Sequence, residues 1–276
     1  MSDFVPHALV VPPDRPDGRL ALVLHGILGN HTNWRSFARG LAARLPGWRF
    51  ALVDLRNHGD SDGAPGPHTL AACVDDLEAL ERSLGNPIEA VIGHSFGGKV
   101  ALELARRASP DLRAAFVLDA SPQKYDVLPG ADHEVRKVLA ALDAVPQPLA
   151  KRADVVDAIT AQGLPVGIGR WMTTNLKRTD AGFVWTFDLT AAQEMLADYF
   201  ARDLWGPLRT TDPTAPPVHL VRAGRSDRWP PEVVAELDAL APDARGTVHL
   251  LPNAGHWVHV DDPAGLTDLL VRFFPT

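Results

Sequence analysis

A single cysteine, Cys73, stands in 276 residues, so no disulfide can close within the chain and a secreted disulfide scaffold is excluded. No apolar run approaches the ~18 residues that a membrane-spanning helix needs. The N-terminal Met-Ser-Asp-Phe-Val-Pro-His lacks a basic stretch, and prolines at 6, 12, 13 and 16 interrupt any apolar segment, which argues against a signal peptide. A cytoplasmic location is therefore expected. A basic surplus is missing too: 27 Lys and Arg face 34 Asp and Glu, a net charge of −7, which disfavours nucleic acid and anionic membranes as partners. Lysine is scarce, with five residues against 22 arginines, a skew that reflects base composition and carries no functional content. What is present is an ordinary globular composition, 46% apolar and 22% charged, in a chain long enough for one large core with an insertion.

Short apolar runs end in turn or functional residues: Leu20–Leu24, Phe50–Val53, Ala90–Ile92, Ala115–Leu118, Val218–Val221 and Thr247–Leu251. Being apolar on both faces, they read as strands buried in a parallel sheet. Helical spacing fills the intervals, at Cys73–Leu84 with Gly85 as a stop, at Phe96–Ala108 and at Pro231–Ala241. Strand–helix alternation of this kind predicts a layered α/β fold. It breaks between Pro122 and about Trp205, where helical patterns (Glu134–Ala144, Arg152–Ala161, Ala191–Phe200) occur without a buried strand. The expected organisation is a core of residues 1–121 and 206–276 with a helical cap inserted at 122–205.

Gly93-His94-Ser95-Phe96-Gly97 follows one strand and opens one helix. A sharp strand-to-helix turn of that composition presents a serine hydroxyl above the sheet at the positive end of a helix dipole, whereas a bland glycine-rich turn would need no serine there. Ser95 is the candidate nucleophile. A hydroxyl needs an adjacent base, and His256, in the loop after the last clear strand, is the candidate; His259, three residues on, is its close rival. Asp227 follows the strand ending near Val221, and the order Ser95, Asp227, His256 suits a serine–acid–histidine triad; Asp119, at the end of another strand, is the alternative acid. The backbone amides of Ile27, after His25-Gly26, and of Phe96 are the natural pair of oxyanion donors.

Taken together, Leu24-His-Gly-Ile-Leu-Gly29, Asp54-Leu-Arg-Asn-His-Gly-Asp-Ser61, Gly93-His-Ser-Phe-Gly-Gly-Lys99, Gly224-Arg-Ser-Asp227 and Gly255-His256-Trp257 resemble the α/β-hydrolase superfamily. The Arg56–Gly59 loop, Lys99, and the segments Trp171–Leu176 and Phe183–Leu189 resemble one subgroup, small bacterial esterases and their mitochondrial abhydrolase relatives. The resemblance covers nearly the whole chain. It implies a mostly parallel eight-stranded sheet, a helical cap, and hydrolysis of an ester or thioester through an acyl-enzyme. In that subgroup the acid often follows the sixth strand instead of the seventh, and Asp119 and Asp227 occupy those two places.

Carbon–carbon bond hydrolases and perhydrolases or haloperoxidase-like enzymes use the same triad, and a ligand-binding receptor on this fold is a further alternative. A serine at the elbow excludes the alkyl-ester chemistry of aspartate-nucleophile relatives. No metal or cofactor is implied: His256 and His259 lack the i, i+4 spacing of a helical zinc pair, and Gly163–Gly169 forms neither a P-loop nor a dinucleotide fingerprint. Aromatic and methionine residues between Trp171 and Trp205 suggest a mostly apolar acyl pocket. Arg56, Arg225 and Arg228 are either solvated or cationic neighbours of the site.

Overall fold

The computed structural model describes residues 4–125 and 134–276. Residues 1–3 and the 126–133 portion of the expected insertion, including His133, lie outside the described residues. In chain order the elements are β1 (Ala8–Val11), β2 (Arg19–Leu24), α1 (Arg35–Arg44), β3 (Trp48–Val53), α2 (Leu70–Leu84), β4 (Ile88–His94), α3 (Phe96–Arg106) and β5 (Ala114–Leu118). Next come α4 (Glu134–Asp143), α5 (Asp154–Ala161), α6 (Val166–Met172), β6 (Leu176–Thr179), β7 (Gly182–Trp185), α7 (Leu189–Ala201) and α8 (Gly206–Arg209). The chain ends with β8 (Val218–Ala223), α9 (Pro231–Asp238), β9 (Gly246–Leu251), α10 (Val258–Asp261) and α11 (Pro263–Phe273).

Seven strands form the main sheet in the order β1-β3-β2-β4-β5-β8-β9, with β1 antiparallel to β3 and every other pair parallel. All six apolar runs lie in it, but the last is not buried as expected: β9 is the other edge of the sheet, and of its residues only Leu251 is buried. The eighth strand implied by resemblance is absent among the described residues. The antiparallel edge is the single strand β1, cut short by Pro12 and Pro13, which have no N–H to give to a ladder.

Period-two alternation sends Leu20, Leu22 and Leu24 of β2 to one core and Ala21 and Val23 to another, because helices cover both faces of the sheet. Leu77 of α2, Val100 and Leu104 of α3 and Val233 of α9 fill the first core. Ala38 and Leu41 of α1 with Leu266 and Leu270 of α11 fill the second. Helix α2 begins three residues before its expected start because the Thr69 side chain accepts from Ala72 N, and it stops at Gly85, whose φ of 67° suits glycine.

Between β5 and β8 the chain leaves the sheet. Helices α4–α7 bury Val138, Leu142, Ile159, Met172 and Leu196 in a third cluster, which also takes in Leu28 from the loop after β2. The hairpin β6–β7, unread in the sequence, lies at the surface, with Lys177, Arg178 and Thr179 exposed.

From β2 the chain moves outward to β3 and then crosses back to place β4 on the other side of β2. The loops after β2 and β4 therefore flank a point where the winding direction reverses, the location at which open α/β sheets form crevices.

Candidate active site

Ser95 leaves β4 with φ 53° and ψ −114° and caps α3. So tight a turn demands close backbone approach on both sides. A Cβ on Gly93 would collide with the Gly97 carbonyl, and one on Gly97 would lie 2.6 Å from His25 O. The Ser95 amide donates to Leu118 O at 2.9 Å, tying the turn to β5.

The Ser95 hydroxyl lies 3.1 Å from His256 Nε2, and His256 Nδ1 lies 2.8 Å from Asp119 Oδ2. Asp119 ends β5 with φ 49° and has a fully buried carboxylate. Its other oxygen, Oδ1, accepts from Ala223 N at 3.0 Å and Trp229 Nε1 at 2.6 Å. With the acid accepting from Nδ1–H, Nε2 is left free to accept the serine proton.

The expectation that Asp227 stands behind His256 is corrected. Its side chain is 89% exposed and its carboxylate faces Arg228 Nε at 3.4 Å. The turn after β8 points that carboxylate to solvent, and what this loop contributes to the acid is the Trp229 indole. His259, the rival base, stacks on Trp34 with ring centroids 3.9 Å apart. Burial pulls it down to about 4, so it is a neutral packing residue.

The loop carrying Ile27 lies directly against the serine: a Cβ on Gly26 would be 3.3 Å from Ser95 Cβ. Among the described residues, neither the Ile27 nor the Phe96 amide has an acceptor within the chain. Two buried histidines hold this loop. Leu55 N donates to His25 Nε2 at 3.0 Å, so the proton of His25 sits on Nδ1 and goes to Gly26 O at 2.7 Å. Leu28 N donates to His58 Nε2 at 3.1 Å, and His58 Nδ1 donates to Arg56 O at 2.9 Å. Burial lowers both, His58 to about 3, which keeps each ring neutral and able to accept. Asn175 adds a tie from the inserted segment by donating to Leu28 O at 2.8 Å. On the opposite flank His94, also kept neutral by burial, donates from Nε2 to His256 O at 2.7 Å. Nothing local in the sequence marks the roles of His58, His94, Asn175 and Trp229, because each acts through long-range bonds.

A cleft of about 250 Å³ opens over Ser95 and His256, lined on its apolar side by Ile27, Leu28, Val138, Ile168, Trp171 and Trp257. Arg225, Ser226, Asp227 and Arg228 form its polar rim. A smaller space of about 40 Å³, which also touches Ser95 and His256, is bounded by Phe96, Tyr199 and Phe200. Arg56 belongs to neither. Buried, it forms a two-bond pair with Asp76 at 2.7 and 2.9 Å, fastening the loop after β3 to α2.

The profile of the Alpha/beta hydrolase family matches residues 21–269. The chain belongs to this family. Among curated relatives of this alpha/beta hydrolase, the mouse sn-1-specific diacylglycerol lipase ABHD11 is 32% identical over 257 residues, which cover 91% of this chain and 79% of that protein. The esterase YbfF of Escherichia coli (strain K12) is 25% identical over 253 residues, 91% of each chain. A solved marine microorganism esterase superposes with a TM-score of 0.81 at 21% identity, covering 98% of this chain and 100% of that one, a likeness of fold. Among the described residues no helix is long and apolar enough to cross a membrane.

Proposed function

We propose that this alpha/beta hydrolase cleaves carboxylic esters, thioesters included, through an acyl-enzyme on Ser95. The observation that carries the reading is the continuous relay from Asp119 through His256 to Ser95, with bonds of 2.8 and 3.1 Å. His256 Nε2 takes the hydroxyl proton as Ser95 Oγ bonds to the substrate carbonyl carbon. Asp119 holds the ring in the required tautomer and stabilises the imidazolium. The Ile27 and Phe96 amides meet the oxyanion. The imidazolium then protonates the leaving alcohol or thiol as its bond to the acyl carbon breaks. Water, deprotonated by the same nitrogen, releases the acid and restores the serine.

In this reading residues 122–205 act as a cap, and the apolar wall of the cleft takes the acyl group. The esterase and lipase relatives support ester chemistry. The test is labelling with a fluorophosphonate probe, followed by a panel of p-nitrophenyl esters and acyl-CoA thioesters of graded chain length. Wild-type protein should label and hydrolyse at least one series, and Ser95→Ala should do neither beyond a small residual rate. Labelling that survives in folded Ser95→Ala would remove the serine from the mechanism.

A further inference from the structure

Away from the cleft, three segments meet around the carboxylate that ends β3. Asp54, fully buried at its side chain, receives His31 Nδ1 at 2.8 Å and His7 Nδ1 at 3.2 Å on the same oxygen, Oδ2. Asp60 brings a second carboxylate, its Oδ2 4.0 Å from His7 Nδ1 and its side chain 68% exposed. One donor atom from each of the four residues lies within 4.8 Å of the others.

Backbone bonds hold the four residues in place independently of any ion. His7 N donates to Ser61 Oγ at 2.7 Å, and His7 O accepts from Asp54 N at 2.9 Å. The amides of His31 and Asp60 donate to Asp54 at 2.6 and 2.9 Å. Gly59, at φ 57°, lets the loop fold over Asp54, since a Cβ there would run into the carboxyl group. A simple ion pair needs one imidazole for one carboxylate. Here two imidazole nitrogens converge on a single oxygen, and a second carboxylate stands beside them on the solvent side.

Two imidazole nitrogens and two carboxylate oxygens form a zinc-type donor set, with bonds of about 2.0–2.2 Å. A tetrahedron of that size has edges of roughly 3.3–3.5 Å. Separations of 2.8, 3.2 and 4.0 Å straddle this range and every pair lies within 4.8 Å, so side-chain rotations that draw Asp60 inward would close the site. We propose that His7, His31, Asp54 and Asp60 bind one divalent transition-metal ion of the zinc class. The ion would displace the protons now shared between the imidazoles and Asp54. It would cross-link the residue before β1, the loop after β2 and the loop after β3. His31 directly follows the loop that carries Ile27, so occupancy would also brace that loop from behind. These residues are dispersed at positions 7, 31, 54 and 60, so no motif spacing announces the site.

The experiment is calorimetric titration of chelator-treated full-length protein with zinc chloride, with thermal unfolding followed at each metal concentration and cobalt(II) absorption as a second readout. One saturable equivalent, a rise in Tm on binding and a tetrahedral cobalt band are expected. Asp60→Asn and His7→Ala should each weaken zinc by about tenfold or more. Asp60 is largely exposed, so Asp60→Asn should fold as wild type in the absence of metal. Ser95→Ala and His256→Ala should retain the equivalent, which separates this site from metal held by the candidate catalytic histidine. Absence of saturable binding would overturn the proposal, as would binding unchanged in Asp60→Asn and His7→Ala but lost in His256→Ala.

Discussion

Asp119 sits in the left-handed backbone region, at φ 49°, which aspartate tolerates better than most residues. That turn aims its carboxylate into the protein, where three donors fill it: His256 Nδ1, Ala223 N and Trp229 Nε1. An asparagine in its place could not accept from all three, because one face of an amide donates. Asp119→Asn should therefore lower kcat by about 10⁴, the loss seen when a serine-protease triad loses its acid. Stability should fall by about 1–3 kcal/mol through the unpaired buried donors. Asp227→Asn, at an 89% exposed side chain, should leave kcat within about twofold and Tm unchanged. Steady-state kinetics with thermal unfolding for both variants decides the matter, and a kcat collapse in Asp227→Asn alone would reverse the assignment. That Ser95 and His256 would meet was legible because strand, turn and loop signals surround them locally. The proposed acid, Asp119, was not, since chain order ranks Asp227 first, and what favours Asp119 is the direction of a turn and the reach of an indole from Trp229. Those are tertiary facts with no local signature.

Elements were legible where burial on both sides produced an unbroken apolar run, which is why β2–β5 and β8 could be read directly; β9, an edge strand buried only at Leu251, was legible from its composition alone. β1 has four residues between His7 and Pro12 and pairs on one side alone, so its pattern is too short to separate from a loop. The hairpin β6–β7 is amphipathic at the surface and carries charges where a buried strand would be apolar. Helix α3 shows how elements are joined at the site. Lys99, completely buried on it, donates to Gln123 O at 2.6 Å, Tyr199 O at 2.7 Å and Arg202 O at 2.9 Å. Two of those carbonyls lie at the end of α7, whose Tyr199 ring stacks on Phe96 beside Ser95. Burial draws the lysine down to about 7, against the opposing pull of Asp203 and Asp198. Lys99→Met would fill the volume and leave three carbonyls without their donor. We expect a loss of about 3 kcal/mol or more in urea unfolding. KM should rise more than kcat falls, because the wall formed by α7 moves while the bonds joining Ser95, His256 and Asp119 do not include the lysine. Stability within about 0.5 kcal/mol of wild type would show that the amine does not pin α7.

Across the whole molecule, histidines are held neutral at several separate places, and this sets the acid limit of the fold. His219 and His259 are each drawn down to about 4 by burial, and burial also lowers His94 and His249. His219 faces His249 across β8 and β9, ring nitrogens 3.1 Å apart, so protonating both would place two cations in contact. In the unfolded chain each imidazole titrates near 6.5. Below that pH the unfolded state binds protons that the folded state refuses, so the histidine contribution to stability falls as pH drops from about 6.5 toward 4. A group shifted from about 6.5 to about 4 costs roughly 2 kcal/mol of stability by pH 5, so His219 and His259 together remove about 4 kcal/mol. His31, raised through its hydrogen bond with Asp54, acts in the opposite direction but is a single group. That loss is a large fraction of the roughly 5–15 kcal/mol typical of a folded domain. Tm should thus fall by several degrees between pH 7.5 and pH 5 at constant ionic strength. In His219→Leu the drop should be smaller, since the substitution removes one of the refused protons and the repulsion with His249. A Tm independent of pH over this interval, or a drop of the same size in His219→Leu, would show that these rings accept protons within the fold.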